Sequence, residues 1–364
     1  MQNKNHLQYL NALNKIRGVG PQKMRKLIAF FDSPLSIWEA GLEDLIRSGI
    51  GETLSKKILE QRPQIDPEEE WQKMEKENVR MILETDEEYP LLLKEIPTAP
   101  YILYMKGQVD LNAPMISIVG SRKYTSYGAQ AATAFAKGLT RAGITVVSGM
   151  AFGIDSIAHR GALDAGGKTI AVLGDSLDEK NIYPANNLNL SREIVVNGCL
   201  LSDFPIETPA GIPGNFPARN RIIAGLSLGT LVIEAGEKSG TLITANLALE
   251  FNREVFAVPG SIFSPQSSGT NDLIKKGAKT VTSIRDILEE LHLEESRNTA
   301  VSPAKNPSSE EEEKIIHLLS SDPLHIDNIS KETKLGTATV ASTLSMMEIK
   351  GWVKNIGGQN YIIT

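Results

Sequence analysis

Short apolar runs alternate with segments of helical periodicity along the middle of the chain, from Met115 to about Leu291. The runs are continuous in Val, Ile and Leu, which is typical of strands buried on both faces of a sheet. We predict strands at residues 115–119, 144–149, 169–174, 199–202, 230–234 and 254–258, and helices at 128–140, 153–164, 188–196, 219–226, 241–251 and from 284. Strands that alternate with helices through right-handed crossovers predict an α/β fold with a doubly wound parallel sheet.

Residues 1–62 have the spacing of short helices and contain two similar glycine-rich fragments, Ile16–Met24 and Ser48–Lys56. Each places an apolar residue between glycines before a polar helix start, which predicts an all-α helix-hairpin-helix or SAM-like domain. The turns either bring backbone amides close to DNA phosphates or form a helical hairpin with a solvated basic face. The cations that flank them are Lys23, Arg25, Lys26, Lys56 and Lys57. Residues 63–110 are predicted to be a connector interrupted by prolines.

The C-terminal part of the chain predicts a winged helix. Residues 295–309 have the composition of a linker, and residues 310–364 have the spacing of three helices followed by a hairpin around Gly357 and Gly358. A version that reads DNA would carry Arg, Lys, Asn or Gln on the third helix, but residues 337–350 are mostly small and apolar. The fold pattern favours DNA binding and the side chains favour protein contact or packing; we favour the second.

Composition narrows the possible partners. The chain has 364 residues, enough for two or three domains, and a formal net charge of −6. Nucleic acid would therefore be bound by a local basic pocket rather than by the field of the whole protein. A single cysteine, Cys199, and scattered histidines give no disulfide framework, metal site or cofactor site. No apolar run has membrane-spanning length and the polar N-terminal residues are unlike a secretory signal, so we expect a cytoplasmic protein.

The first strand of the predicted sheet leads into a candidate anion site. Gly120 permits a sharp turn, Ser121 and Arg122 follow it, and an alanine-rich helix begins near Gly128. Free N–H groups and the positive end of the dipole at a helix start favour an anion. The planar guanidinium of Arg122 matches a phosphate. We therefore predict that this turn binds nucleic-acid backbone.

Further loops end at the same edge of the predicted sheet. Pro217 predicts the start of a helix whose first turn contains two arginines. Cations at a helix start oppose the helix dipole, and an anion bound by both the arginines and the helix start would explain their presence. The alternative places one of these arginines in an internal salt bridge. Another loop offers N–H and hydroxyl donors before the next helix, and a glycine ends a third strand. These loops contribute Gly174, Arg219, Asn220, Arg221, Ser239, Gly240 and Thr241.

Asp155 and His159 lie four residues apart on one face of a predicted helix. Asp155 would orient His159 as a base in a catalytic interpretation. In a structural one, Asp155 is a partner of the helix dipole and His159 is a packing residue. No nucleophile accompanies them, so we favour the structural interpretation and predict no catalytic residues. The P-loop and dinucleotide-binding motifs are also absent from the sequence.

Taken together, the loops resemble the DNA-processing protein A family (DprA, also called Smf). The matching stretches are VGSRKYTSYG, SGMAFGIDSIAH, IAVLGDSLD followed by YPANN, FPARNRIIAGLS, VIEAGEKSGTLITA and VPGSIFSPQSSGTNDLI. The resemblance implies an extended Rossmann fold over residues 111–294 that binds single-stranded DNA without sequence preference. It also implies a homodimer that passes DNA to a RecA-type recombinase in natural transformation. The helical N-terminal domain and the winged helix match the family's arrangement.

The family's DNA-pocket positions carry over to ten residues of this sequence: Gly120, Ser121, Arg122, Gly174, Arg219, Asn220, Arg221, Ser239, Gly240 and Thr241. Ser176 stands where relatives often have glycine, and Ala185 where many have a basic residue, so one turn would be less open and one phosphate contact weaker. The chief alternative is a nucleotide-processing Rossmann enzyme of the phosphoribohydrolase type, whose PGGxGT signature is missing here. A pure interaction scaffold that docks through its winged helix is a third interpretation.

Overall fold

The computed structural model describes residues 4–293, 307, 309–319 and 324–363. The chain divides into two compact units, residues 1–298 and 299–364. The predicted linker at 295–309 lies outside the described residues, apart from residues 307 and 309. Within the described ranges, no helix combines the length and the apolar character that crossing a membrane requires.

The N-terminal segment is entirely helical, as predicted. Its helices are Lys4–Lys15 (α1), Pro21–Phe30 (α2), Pro34–Glu39 (α3), Leu42–Arg47 (α4), Glu52–Gln61 (α5) and Pro67–Lys76 (α6). Gly18 and Gly51 have φ angles of 106° and 91°, a region that favours glycine and lets the chain turn sharply before α2 and α5. The apolar faces of these helices share one core with sheet residues such as Tyr104 and Leu200. The helical segment therefore packs against the sheet.

A nine-stranded sheet forms the centre of the larger unit. Its strands are Arg80–Leu83 (β1), Ile102–Gly107 (β2), Met115–Val119 (β3), Thr145–Ser148 (β4), Thr169–Val172 (β5), Cys199–Ser202 (β6), Gly229–Val232 (β7), Glu254–Ala257 (β8) and Lys279–Thr280 (β9). The sheet order is β1-β2-β6-β5-β4-β3-β7-β8-β9. From β6 to β9 the strands pair in parallel. All six predicted strands are present, which confirms the doubly wound α/β fold.

The segment predicted as a connector, residues 63–110, also contributes to the sheet. β1 pairs antiparallel with β2, and β2 pairs antiparallel with β6. The prolines at 90, 97 and 100 lie between β1 and β2, so they remove no donor from the ladder. The apolar run at residues 79–83 indicated a short strand, which is β1, but the proline-interrupted composition did not indicate β2 or that both strands join the main sheet. β9, which has two residues, was likewise not predicted.

Helices cover both faces of the sheet. They are Leu91–Lys94 (α7), Ser126–Arg141 (α8), Ile154–Asp164 (α9), Leu188–Asn197 (α10), Asn215–Leu226 (α11), Thr241–Glu250 (α12), Ser268–Lys275 (α13) and Ile284–Glu290 (α14). One core cluster joins α8, α9 and α14 to the sheet, and another joins α7, α11 and α12 to it. This is the two-sided packing that buried parallel strands require.

The strand order reverses beside β3. After β3 the chain builds β4, β5 and β6 on one side, then returns to place β7, β8 and β9 on the other. The loops that follow β3 and β7 therefore diverge at the carboxyl ends of two neighbouring strands. In open parallel sheets such a switch point leaves a crevice in which ligands bind.

The smaller unit has the predicted winged-helix order. Its elements are Glu310–Leu318 (α15), Leu324–His325 (β10), Ile326–Thr333 (α16), Thr337–Ile349 (α17), Val353–Asn355 (β11) and Asn360–Ile363 (β12). β12 lies between β10 and β11, and β10 was not predicted. α17 buries Val340, Leu344 and Met347 and leaves Met346 and Ile349 exposed. Its solvent-facing surface therefore includes apolar side chains.

Candidate nucleic-acid interface

A cleft of about 740 Å³ opens at the switch point between β3 and β7. The turn after β3, the loop after β7 and the first turns of α9, α11 and α12 form its walls. Eight of the ten predicted site residues line it: Gly120, Ser121, Arg122, Arg219, Asn220, Ser239, Gly240 and Thr241. Loops that are distant in sequence therefore meet at one edge of the sheet.

Gly174 and Arg221 do not line the cleft. Gly174 packs behind it, where a Cβ atom would lie 3.1 Å from the Phe216 ring. Arg221 points away from the cleft and forms an ion pair with Asp203 at 2.5 Å, and it also donates to the carbonyl of Thr98. Arg219 and Arg221 project from α11 in different directions because they are two residues apart on a helix. The internal salt bridge that the sequence left open belongs to Arg221.

The α11 helix begins earlier than predicted. It starts at Asn215, so Pro217 is the third helical residue and Arg219 lies in the second turn. Proline is accepted there because the first N–H groups of a helix have no partner within it. The expectation that the arginines crowd the first turn and oppose the helix dipole is therefore wrong.

The turn after β3 is held by close packing and internal hydrogen bonds. A Cβ atom on Gly120 would lie 2.6 Å from the Ile154 side chain, so only glycine fits against α9. The backbone N–H of Ser121 donates to the carbonyl of Glu234 at 2.8 Å. The Ser121 hydroxyl lies 3.0 Å from Oε1 of Gln266. Both polar groups of Ser121 thus fix the turn that presents the next residue.

The start of α8 is not the free anion site that the sequence suggested. The carboxylate of Glu234 accepts hydrogen bonds from the backbone N–H of Thr125 at 2.9 Å and from its hydroxyl at 2.6 Å. A Cβ atom on Gly128 would clash with the same carboxylate. The protein's own anion therefore satisfies this helix start. An incoming phosphate would meet the turn itself instead.

Arg122 is exposed in that turn and lines the cleft. Its guanidinium carbon lies 5.9 Å from the centre of the Phe216 ring, within the range of a cation–π contact. Within the described part of the chain, it has no ion-pair or hydrogen-bond partner. Its donors are therefore available to a ligand.

Arg219 has a different environment. It is 4% exposed, and one terminal nitrogen donates to the carbonyl of Gly149 at 2.8 Å and to that of Val172. Burial lowers the pKa of Arg219, while the carboxylates of Asp155 and Asp175 oppose this and stabilise its charge. Arg219 thus joins the ends of β4 and β5 beneath the cleft, and much of its charge is offset internally.

The cleft is positive in an acidic protein. Four cationic side chains and one carboxylate line it, a formal charge of +3 in a chain of net charge −6. Sequence reasoning missed two of these cations, Lys123 and Lys238. Both are exposed, and their ammonium groups have no ion-pair partner among the residues described. Their position beside predicted turns was the signal that could have found them.

The loop after β7 brings a helix start to the opposite wall. Ser239 and Thr241 join their hydroxyls at 3.0 Å, and Gly240 precedes α12 without a side-chain cap. The first N–H groups of α12 are engaged inside the protein: that of Thr241 donates to the Ser239 hydroxyl at 3.3 Å, and those of Leu242 and Ile243 donate to the carbonyls of Ser239 and Gly240 at 3.1 Å. This wall therefore offers the cleft the positive end of the helix dipole rather than the free N–H donors that the sequence suggested.

Two aromatic rings stand at the mouth of the cleft. Tyr183 and Phe216 both line it, with ring centres 5.5 Å apart. Tyr183 is 41% exposed. Exposed rings beside cations provide flat surfaces on which nucleic-acid bases stack. Neither ring was among the predicted site residues, although they open the YPANN and FPARN stretches.

Asp155 and His159 do not form a catalytic pair. Asp155 accepts a hydrogen bond from the N–H of Gly149 at 3.1 Å. His159 is fully buried, and its Nδ1 lies 2.7 Å from the hydroxyl of Thr169, which donates to a strand carbonyl. Nδ1 therefore carries the proton, and burial lowers the pKa of His159 to about 3. His159 is a neutral packing residue, as the favoured interpretation held.

The cations of the N-terminal hairpins are largely engaged within the protein. Lys23 and Lys26 donate to backbone carbonyls of the second turn, residues 49–50, at 3.0 and 3.2 Å. Arg25 forms a two-point ion pair with Glu84 at 2.8 Å. These contacts favour the structural interpretation of the hairpins.

Comparison with known proteins agrees with the fold. The family model of DNA recombination-mediator protein A matches residues 80–292, and that of the DprA winged helix domain matches residues 299–359. Protein Smf of Synechocystis is 34% identical, over 97% of this chain and 98% of the relative.

Two solved structures are similar to this one. DNA processing protein A of Streptococcus pneumoniae is 37% identical with a TM-score of 0.68, covering 78% of this chain and 97% of that one. DNA processing protein A of Helicobacter pylori, whose structure describes its single-stranded DNA binding mode, is 33% identical with a TM-score of 0.53, covering 59% of this chain and 95% of that one. The chain therefore belongs to the DNA recombination-mediator protein A family.

Proposed function

We propose that this protein binds single-stranded DNA in the cleft without reading its sequence, and that it delivers the strand to a RecA-type recombinase in natural transformation. One observation carries the DNA-binding part. Three exposed cations without ion-pair partners in the described chain, Arg122, Lys123 and Lys238, meet a helix start and two aromatic rings in one cleft. This combination fits a sugar-phosphate backbone with unpaired bases.

The polar side chains of the cleft are poorly suited to reading base edges. Asn220 Oδ1 accepts a hydrogen bond from Arg219 at 3.3 Å, and Asp155 accepts one from a backbone N–H. The amide oxygen of Gln266 is joined to Ser121. Groups already engaged inside the protein cannot select a base without losing those bonds. The exposed cations can hold phosphates and the rings can stack on any base, and neither contact requires a particular sequence.

Family membership supports the remaining parts of the proposal. The Helicobacter pylori relative binds single-stranded DNA, and the family model names a recombination mediator. A homodimer would place two clefts on one strand, which raises the apparent affinity. The recombinase would be a cytoplasmic partner, and the winged helix would contact protein rather than bases, since the exposed side of α17 carries Met346 and Ile349.

Competition measurements test this function. A labelled oligothymidylate bound to the full chain is challenged with single-stranded DNA, duplex DNA and thymidine monophosphate at equal nucleotide concentration. We expect the single strand to displace the label far more effectively than either competitor. Equal displacement by the mononucleotide would contradict the proposal and favour a nucleotide-processing enzyme. Delivery is tested by the rate at which a RecA-type recombinase loads onto coated single strands with and without this protein.

A further inference from the structure

Four large side chains are exposed just outside the cleft, at the same edge of the sheet. Tyr124 and Tyr127 flank the start of α8 and are 47% and 48% exposed. Ile262 and Phe263 lie in the loop after β8 and are 83% and 89% exposed. We call these four residues the outer rim. None of them belongs to the lining of the cleft.

The outer rim is continuous with the cleft. The Tyr127 hydroxyl donates to the carbonyl of Pro259 at 2.8 Å, which ties the start of α8 to the loop after β8. Lys123, which lines the cleft, immediately precedes Tyr124. Gln266, which also lines it, follows the loop that carries Phe263. A strand that leaves the cleft past Lys123 therefore reaches the rim without crossing other parts of the sheet edge.

The rim has the chemistry of a nucleic-acid surface. Tyr124 and Tyr127 are separated along the chain by Thr125 and Ser126 and are preceded by Lys123, and the pair Ile262 and Phe263 is flanked by Ser261 and Ser264. Protein-binding patches are contiguous and apolar, whereas single-strand surfaces interleave aromatic rings with positive charge. Lys123 is exposed, lines the cleft and directly precedes Tyr124, so a phosphate contact and a stacking surface are neighbours in the chain.

We infer that the outer rim is a second nucleotide subsite, on which bases leaving the cleft stack against Tyr124, Tyr127 and Phe263. This inference rests on the proposed function, because it extends the path of the same strand. Short strands fill the cleft alone, and longer ones also reach the rim. The site size of one protomer is therefore larger than the cleft.

The test compares strand lengths in four variants of the full chain. Phe263→Ala and Tyr124→Ala remove exposed rings that do not belong to the hydrophobic core clusters of the described residues. Arg122→Ala alters the cleft. Val196→Ala is the control, since Val196 is 81% exposed on α10 outside both sites. Anisotropy is measured with oligothymidylates of about 6 and about 20 nucleotides, one near the lower end of the usual range of site sizes for single-strand binding folds and one above it. We expect each rim variant to lower affinity for the long strand about tenfold and leave the short strand unchanged.

The outcomes separate the inference from the proposed function. If Arg122→Ala lowers affinity for both lengths while the rim variants bind both as Val196→Ala does, the function stands and the second subsite is overturned. If Arg122→Ala changes neither, both fail. If a rim variant dissociates an oligomer in sedimentation without altering affinity per protomer, the rim is a self-association surface and the inference is overturned. Photocrosslinking of 5-iodouracil in the long strand to peptides that contain Tyr124 or Phe263 would support it directly.

Discussion

The substitution Arg122→Ala tests the cleft with little risk to the fold. Arg122 is exposed in the turn after β3, and its guanidinium makes a cation–π contact with Phe216 at 5.9 Å. Loss of that contact at an exposed site costs about 0.5–1 kcal/mol. The free energy of unfolding should therefore change by no more than this. A larger change in DNA affinity would report on binding.

The size of the binding effect follows from the contacts available to Arg122. A hydrogen bond to a charged group contributes about 1.5–3 kcal/mol, which corresponds to a rise in Kd of roughly 10-fold to 150-fold. Three exposed cations, Arg122, Lys123 and Lys238, would neutralise three phosphates. The slope of log affinity against log salt should then be about −2 for the unsubstituted chain and about −1.4 for Arg122→Ala. Arg219 is left out because buried carboxylates offset its charge.

Fluorescence anisotropy with an oligothymidylate over a series of KCl concentrations measures both quantities. Arg122→Lys keeps the charge but loses the planar fork, so it should keep the slope and recover part of the affinity. Arg285→Ala is a matched control, because it removes an arginine whose side chain is 80% exposed on α14, outside the cleft. Affinity and slope for Arg122→Ala that equal those of Arg285→Ala would refute the reasoning.

Three other predictions concern the buried groups and the second unit. Arg219→Ala should lower the free energy of unfolding by about 3–5 kcal/mol in urea, because it leaves buried carboxylates and strand carbonyls without their partner; a variant of unchanged stability would contradict this. Burial lowers the pKa of His159 from 6.5 to about 3. The contribution of the neutral imidazole to the free energy of unfolding is therefore complete above pH 6.5 and is lost as the pH falls toward 3. At pH 5 this effect should lower the free energy of unfolding of the unsubstituted chain by about 2 kcal/mol relative to pH 8. His159→Gln should lack this part of the pH dependence when both proteins are unfolded in urea at pH 5 and pH 8. If the variant and the unsubstituted chain show the same pH dependence, the assignment to His159 is wrong. Removing residues 300–364 should leave strand affinity largely intact, because all cleft residues lie in the first unit; loss of binding would assign a DNA contact to the winged helix.

The local features of the site were predictable because they depend on short stretches of chain. Buried strands of a parallel sheet must be continuously apolar, so their positions follow from the pattern of hydrophobic residues. Their carboxyl ends share one edge, so the turns after them converge wherever each strand lies in the order. Arg122 and Gly240 were placed in one site by this reasoning, and both line the cleft.

Other features depend on contacts between distant residues. Glu234 reaches the start of α8 from a position 109 residues further along the chain, and the Tyr127 contact with Pro259 spans 132 residues. Arg219 and Arg221 are both arginines near one helix start, yet one lies beneath the cleft and the other pairs with Asp203. No pattern of neighbouring residues distinguishes them, since the difference is made by what packs against each side of α11.

Hydrophobic patterning and turn residues were enough to predict the α/β class, the helical start of the chain, the winged-helix order and the edge of the sheet at which a ligand would bind. Periodicity and turn residues act over a few positions, and burial imposes them directly. The tertiary structure alone decided which cations remain free, which carboxylate occupies a helix start and which rings stand at the mouth of the cleft. Those outcomes depend on desolvation and pairing between elements that meet only after the sheet has formed.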